Sequence, residues 1–437
     1  MHILFLTQVL PYPLDAGPKT RAYHVLRYCA AAGHKVTLLT FTRNADRSEY
    51  VQHLRTYCTA VHTVPMRRSR ARDVGHLLRS LVSPTPFLIT RDWVPGMAAR
   101  VRDVAIRHPV FDVVHADQLW MAPYALLARH AGGNGRQPAA VLDQHNAVFQ
   151  IPHRLAQQES NPLKRALLAV EGRKLVRYEK EVCRRFDHVV WVTEEDHAAL
   201  DGRGPNGQGR GGRQRSGSTG RRGTRRFSII PICVDTEMQP VIPRRPDAFR
   251  VTFLGGLHWP PNSEGVLWFA RQVWPFIAEQ VPSAVLTVIG KEPPRALVEI
   301  GGGRSAAGDL PSGVEIPGYV TDPRPYLAET AVFIVPLHAG GGMRVKILDA
   351  WCWGLPVVTT RVGAEGLRAR DGENALLADT ATTFAQAVVR VMRAPEVAMR
   401  LAAEGRRTVE TFYDWRRVYE AWDDVYAAAM GQRSSPH

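Results

Sequence analysis

Two stretches of this chain repeat one pattern: a short apolar run, a stop at Gly, Pro or Asp, then a segment of helical period. Few folds admit that alternation, because a strand that is apolar throughout needs helices above and below it. In the first stretch the runs are His2–Thr7, Val36–Thr40, Val113–His115, Ala139–Asp143 and His188–Thr193. A helix is predicted over 19–32, closed by Gly33. In the second stretch they are Arg250–Gly255, Ala284–Gly290, Val314–Pro317, Val332–Pro336 and Pro356–Thr360, with a helix predicted over 262–279. The reading is an α/β protein with two Rossmann-like, doubly wound parallel-sheet domains. At 437 residues the chain is long enough to give each its own core.

The predicted division is 1–200 for the first domain, 201–226 for an insertion and 227–410 for the second domain, with the join at about 227–248. A helix follows over 411–437. Within it, Trp415, Val418, Tyr419, Trp422, Val425, Tyr426 and Ala429 share one face at 3.6-residue spacing. That face either crosses back onto the first domain or covers the outside of the second. The insertion, Gly202 to Arg226, carries eight arginines and no apolar residue, so it has nothing to bury and is predicted to be disordered. It also lacks an aromatic for base stacking. It reads as a solvated segment that can touch anionic lipid, and less well as an RNA-binding tract.

Charge adds little. The net charge is +15, and removing 201–226 takes away eight arginines and Asp201, leaving +8. No specific nucleic acid is expected. Met1–Thr7 lacks a basic flank and a small-residue cleavage site, so it reads as a first strand rather than a leader. No apolar run approaches the roughly 18 residues of a spanning helix. The expected location is cytoplasmic, or peripheral on the inner face of the plasma membrane. Five scattered cysteines make no metal-ligand spacing, and no metal or cofactor is expected. The stretch 66–82, arginines followed by Leu77, Leu78, Leu81 and Val82, either lies on an anionic membrane or is an ordinary exposed helix.

Ligands of open parallel sheets bind beyond the carboxyl ends of strands. After the first run, Gly17 opens a helix, either as an anion-meeting amide or as a plain turn; no GxGxxG is present. His115 and His145 both stand at strand ends, with Asp143 and Asn146 beside the second, which favours substrate contact. The sharpest cluster runs from His338 to Gly354. Gly340, Gly341 and Gly342 leave the backbone open to a ligand. Arg344 and Lys346 then place two cations at a helix start, where the macrodipole disfavours them. An anion such as a diphosphate offsets that. Asp349 either accepts from a vicinal diol or pairs with Lys346. Gly255 and Gly256 permit close backbone contact after the second domain's first run. Glu365 is either a hydroxyl acceptor or a helix cap.

At these residues the chain resembles the retaining glycosyltransferases of the GT-B fold, group 1 (family 4), in the branch that assembles exopolysaccharide. The resemblance rests on the Pro-Tyr-Pro-Leu-Asp-Ala-Gly17 turn, Asp112-Val-Val-His115, Trp259-Pro-Pro-Asn262, Pro231 to Thr236, the Gly340–Gly354 stretch and Gly363-Ala-Glu-Gly366. It covers nearly the whole chain outside 202–226. It implies two domains facing a cleft, and sugar transfer from a nucleotide-diphosphate sugar to a glycan or lipid-linked acceptor hydroxyl. It also implies that Asp349 holds the ribose, that His145 contacts the donor sugar and that Gly17 lies near the phosphates. The first acid of the family's Glu-x7-Glu pair falls on Gly341. The usual Arg and Lys of the second domain's first loop fall on Gly256 and Asn262. Diphosphate neutralisation is therefore assigned to Arg344 and Lys346, with Gly255, Gly256, Gly341, Gly342, Met343 and Glu365 completing the donor set. No DxD is present, so the cations stand in for a metal. A GT-B nucleotide-sugar epimerase is the alternative, with acidic catalytic residues, and a nucleic-acid-binding protein ranks last.

Overall fold

Strands β4 (Val113–Asp117) and β5 (Ala139–Gln144) are buried at every residue, as a strand covered by helices on both faces must be. In the computed structural model, residues 1–107, 111–132, 137–200, 226–245, 247–302 and 313–431 are described. The predicted insertion lies outside them except for Arg226. The chain divides into two units, one of Met1–Cys233 with the residues from Trp415 onward, the other of Val234–Asp414.

The first unit is a seven-stranded parallel sheet in the order β3-β2-β1-β4-β5-β6-β7. The remaining strands are β1 (His2–Thr7), β2 (Lys35–Thr42), β3 (Ala60–Pro65), β6 (His188–Trp191) and β7 (Phe227–Ile229). Side chains alternate across the sheet. Leu4 and Leu6 face a core with Met97, Val101, Leu119 and Tyr124. Ile3 and Phe5 face Val25, Leu26, Trp422 and Tyr426. The order reverses between β1 and β4, so the loops after those two strands flank the switch point.

The second unit repeats the logic with six parallel strands in the order β10-β9-β8-β11-β12-β13. They are β8 (Arg250–Leu254), β9 (Val285–Ile289), β10 (Val314–Gly318), β11 (Thr330–Val335), β12 (Val357–Thr359) and β13 (Leu376–Leu377). Here the reversal lies between β8 and β11. The helix predicted over 262–279 is a Pro260–Trp268 helix, a π turn at Phe269–Val273 and a Trp274–Gln280 helix. Pro275 lacks the amide that a regular ladder needs, and the irregular turn falls just before it. A Cβ on Gly265 would stand 2.3 Å from the Pro336 carbonyl, so this helix passes directly over the end of β11.

Phe227–Ile229 pairs with β6, so the first unit runs on to Cys233, inside the 227–248 span read for the join. The terminal segment is not one helix. The Pro395–Phe412 helix stops before Asp414, whose carboxylate accepts from the Thr236 amide at 3.3 Å, and short helices follow at Trp415–Val418 and Ala421–Gly431. Trp415, Tyr419, Trp422, Val425, Tyr426 and Ala429 are all buried in the first unit's core. The face read from the sequence is real, and it belongs to the first unit.

Candidate functional site

In the second unit the glycine loop joins β11 to the helix Val345–Cys352. Gly340 (φ 123°) and Gly342 (φ 72°) take left-handed backbone that other residues rarely adopt. Arg344 stands at the N-cap and is 7% exposed. Its guanidinium folds back on the loop, donating to the Gly342 carbonyl and, at 3.3 Å, to that of Val362. Its Nη2 lies 4.0 Å from Glu365. The loop after β12 is thereby tied to the loop after β11.

Lys346, the second residue of the helix, reaches the loop after β8. Its ammonium donates to Asn262 Oδ1 at 2.9 Å, and Asn262 Nδ2 donates to the Gly256 carbonyl at 2.7 Å. The same ammonium lies 4.2 Å above the centre of the Phe253 ring. A Cβ on Gly255 would stand 2.5 Å from it, so glycine is what leaves the ammonium its place. Burial and then the Arg344 charge push the Lys346 pKa down to about 7, with Asp349 opposing. The Arg344 charge disfavours a charge on Lys346, and an anion bound beside both would offset that repulsion.

Asp349 does not pair with Lys346. It accepts from Gln239 Nε2 at 3.2 Å, and burial pushes its pKa up to about 6. Glu365 lies in a turn with no helix after it, which removes the cap reading. Met343 is buried, and Gly341 has open space where a Cβ would stand. Arg344, Lys346, Gly255, Gly256, Asp349 and Glu365 thus lie on the loops and helix beyond the ends of β8, β11 and β12.

Gly17 and His145 lie in the first unit. Gly17 is the first residue of the Gly17–Ala31 helix. His145 follows β5, and its Nε2 lies 2.9 Å from Asp117 Oδ1 and 3.7 Å from Asp143. Burial opposes a charge on His145, but Asp117 and Asp143 outweigh it and push its pKa up to about 9. Burial lifts the Asp117 pKa as well, against the pull of the His145 imidazole at 2.9 Å. Arg21 holds both oxygens of Asp143 at 2.7 Å and keeps it ionised against burial. His115 differs from expectation. It is fully buried within β4, stacks 4.1 Å from Phe5 and meets Tyr426 Oη at 3.0 Å; burial pushes its pKa down to about 3. It is a core residue.

His115, Asp117 and Asp143 present ligand atoms within 4.8 Å of one another. They suit a metal poorly, because an ion there would face the Arg21 guanidinium and the His145 proton. The loop bearing His145 is braced by groups the sequence did not mark. Glu179 accepts from the Val148 and Phe149 amides at 3.0 and 3.1 Å, and Asp196 accepts from Ala147 at 3.0 Å. In the second unit, Asn262 and Gln239 were equally missed as partners. Their signal is only that uncharged amides stand where a charge or a turn would be expected, and their role depends on which loops the fold brings together.

Two family signatures match this chain: "Glycosyl transferase 4-like domain" over residues 16–208 and "Glycosyl transferases group 1" over 248–394. A protein described as an uncharacterized 44.6 kDa protein in the cps region of Klebsiella pneumoniae is 25% identical over 178 residues, 39% of this chain and 44% of that protein. The lipopolysaccharide core biosynthesis glycosyltransferase LpsE of Rhizobium meliloti is 31% identical over 117 residues, 26% of this chain and 34% of that protein. The chain thus spans less than half the length of either relative. Among solved structures, Anabaena HepE in complex with UDP and glucose superposes with a TM-score of 0.64. The match covers 97% of this chain and 99% of that one at 13% identity, a likeness of fold.

Proposed function

Because the chain belongs to the group-1 glycosyltransferases of the GT-B fold, we propose that it moves a sugar from a nucleotide-diphosphate sugar to an acceptor hydroxyl, with retention and without a metal ion. The setting we assign is exopolysaccharide or other surface-glycan assembly, in the cytoplasm or peripherally on the membrane. LpsE, named for lipopolysaccharide core biosynthesis, supports that setting. Among the described residues, no helix is long and apolar enough to cross a membrane.

One observation carries the reading: Arg344 and Lys346 are two cations held at the same helix start beside an open glycine loop. A sugar–diphosphate bond breaks with negative charge gathering on the diphosphate. Fixed donors aimed at that charge contribute about 3–4 kcal/mol each to lowering the barrier. In this assignment Lys346 is held by Asn262, and Arg344 by the loop carbonyls, so neither has to be reorganised during the reaction. The C1–oxygen bond to the diphosphate breaks, a C1–oxygen bond to the acceptor forms on the same face, and the acceptor proton passes to the leaving phosphate. Asp349, with its carboxylate partly satisfied by Gln239, is assigned to the ribose hydroxyls. His145, held protonated by Asp117, is assigned to a hydroxyl of the donor sugar, and Gly17 to the neighbourhood of the phosphates.

Arg344→Ala and Lys346→Ala should each lower turnover at least tenfold while a cooperative melt persists. Asp349→Ala should mainly raise the donor KM. Near-normal turnover in both cation variants would remove the diphosphate assignment. UDP, the nucleotide bound in the HepE structure, is the first donor base to test, against GDP, ADP and dTDP.

A further inference from the structure

Three successive backbone amides in the loop after β5, at Ala147, Val148 and Phe149, each end on a carboxylate from elsewhere in the first unit. Ala147 donates to Asp196 Oδ1 at 3.0 Å, Val148 to Glu179 Oε1 at 3.0 Å and Phe149 to Glu179 Oε2 at 3.1 Å. Gln144 Nε2 also donates to Glu179 Oε1, at 3.1 Å, and Thr193 Oγ1 donates to Asp196 Oδ2 at 2.9 Å. Glu179 comes from the helix Pro162–Arg185, where it shares a buried stripe with Glu171, Leu175 and Val182. Asp196 comes from the helix Glu194–Leu200.

Glu179 is fully buried and, among the described residues, has no ion-pair partner. Burial pushes its pKa up to about 8; the Val148 and Phe149 amides oppose that, and the like charge of Asp196 adds to it. Burial raises the Asp196 pKa as well, against the Ala147 amide, Thr193 and the charge of Arg154 on the helix Gln150–Gln158, with Glu195 adding to it. Buried amides need acceptors, but carbonyl or side-chain amide oxygens satisfy them without burying a charge. What a carboxylate adds is a shorter, stiffer bond, and here the two oxygens of one group fix two consecutive residues. His145 lies two residues before this clamp, with its Nε2 at 2.9 Å from Asp117. Stability is given up at Glu179, and what is gained is a fixed backbone beside that imidazole.

We propose that Glu179, seconded by Asp196, is the positioning residue of His145: it holds the 147–149 backbone so that the imidazole keeps its place against Asp117. For sugar transfer this rests on the transferase reading, in which His145 meets the donor sugar; as a property of the loop it does not. A neutral Gln at 179 has one accepting oxygen in place of two, so it leaves one of the two amides without its partner while removing the buried charge. The sign of the stability effect follows. The Glu179 pKa is raised in the fold from 4.5, so its ionisation weakens the fold: not at all below pH 4.5, increasingly as pH rises, and fully above pH 8.

The test is Glu179→Gln in the full chain, read by Tm from pH 5 to pH 8 and by the His145 titration in protein carrying isotope-labelled histidine. The His145 resonance is identified by its loss in His145→Gln. Relative to the wild type, the Tm of Glu179→Gln should rise as pH increases over that range. The His145 midpoint should fall by about one pH unit or more, towards 6.5, as the contact with Asp117 loosens. Asp196→Asn, which acts on the neighbouring amide, should move His145 in the same direction. Glu181→Gln, the same charge change at an exposed position of the same helix, should move neither reading. A His145 midpoint unmoved in both Glu179→Gln and Asp196→Asn, or a Tm lowered equally at every pH by Glu179→Gln, overturns the proposal. UDP calorimetry on the same samples separates the two readings. A moved His145 in a chain that does not bind UDP keeps the loop anchor and removes the transferase; UDP binding with an unmoved His145 does the reverse.

Discussion

Lys346 should take up a proton when the donor diphosphate binds. Its pKa is about 7, so at pH 8 about 90% of the molecules carry a neutral amine there. A diphosphate against the same nitrogen restores the charged form, which burial and Arg344 disfavour in its absence. The sign follows: binding favours the protonated state, so affinity is greatest below pH 7 and falls as pH rises through it. About half the sites are protonated at pH 7 and about 1% at pH 9, so UDP affinity should drop about 50-fold between them. Uptake should approach 0.9 proton per UDP at pH 8, where the nucleotide's own phosphates, with a pKa near 6, are already ionised. Titration calorimetry in buffers of different ionisation enthalpy reads this number directly as a slope. Lys346→Met should bind UDP more weakly with a nearly flat pH dependence over the same range. Buffer-independent heats at pH 8 in the wild type would refute the reasoning, because they would place the ammonium away from the phosphates or leave it charged throughout.

Two further substitutions probe the geometry around these groups. Gly255→Ala would put a methyl 2.5 Å from the Lys346 nitrogen, whose flexible stem yields; UDP affinity should fall at least tenfold with little change in Tm, whereas Gly341→Ala, with open space around it, should leave Tm unchanged or raise stability by up to about 1 kcal/mol. In the first unit, Asp117 and Asp143 raise the His145 pKa from 6.5 to about 9, so the protonated imidazole stabilises the fold. That contribution is complete below pH 6.5 and is lost as pH rises through 9. Asp117→Asn should therefore lower the unfolding midpoint strongly at pH 6 and much less at pH 9.5; a difference that does not change with pH would mean that the imidazole is neutral.

Much of the architecture is legible in residue order because the central strands of each half are buried throughout, leaving apolar runs with few alternatives. The second unit's loop is legible for a different reason. Three glycines and two cations at a helix start violate local preferences, and such violations concentrate where a ligand compensates them. What sequence does not reveal is pairing between loops far apart in the chain. Asn262 reads as a missing charge, yet it is the residue that holds Lys346 across 84 positions. His115 and His145 look equivalent at two strand ends, but one points into the core against Phe5 and the other meets Asp117 past the end of β5. His115 lies level with Val141, inside the sheet, whereas His145 stands four positions further on, past the strand's end. β7 is not read from the sequence, because a three-residue strand after an apolar-free insertion has almost no signal of its own.

The placement of the last helices sets an order on assembly. Trp415, Tyr419, Trp422 and Tyr426 fill one face of the sheet that begins at His2, so the amino-terminal half emerges from the ribosome lacking four large pieces of its interior. It has to wait, partly formed and with Ile3, Phe5 and Leu26 uncovered on that side, while the entire intervening unit is synthesised. Expressing residues 1–233 alone should therefore yield an aggregating fragment, and supplying the carboxyl-terminal segment in trans should rescue it.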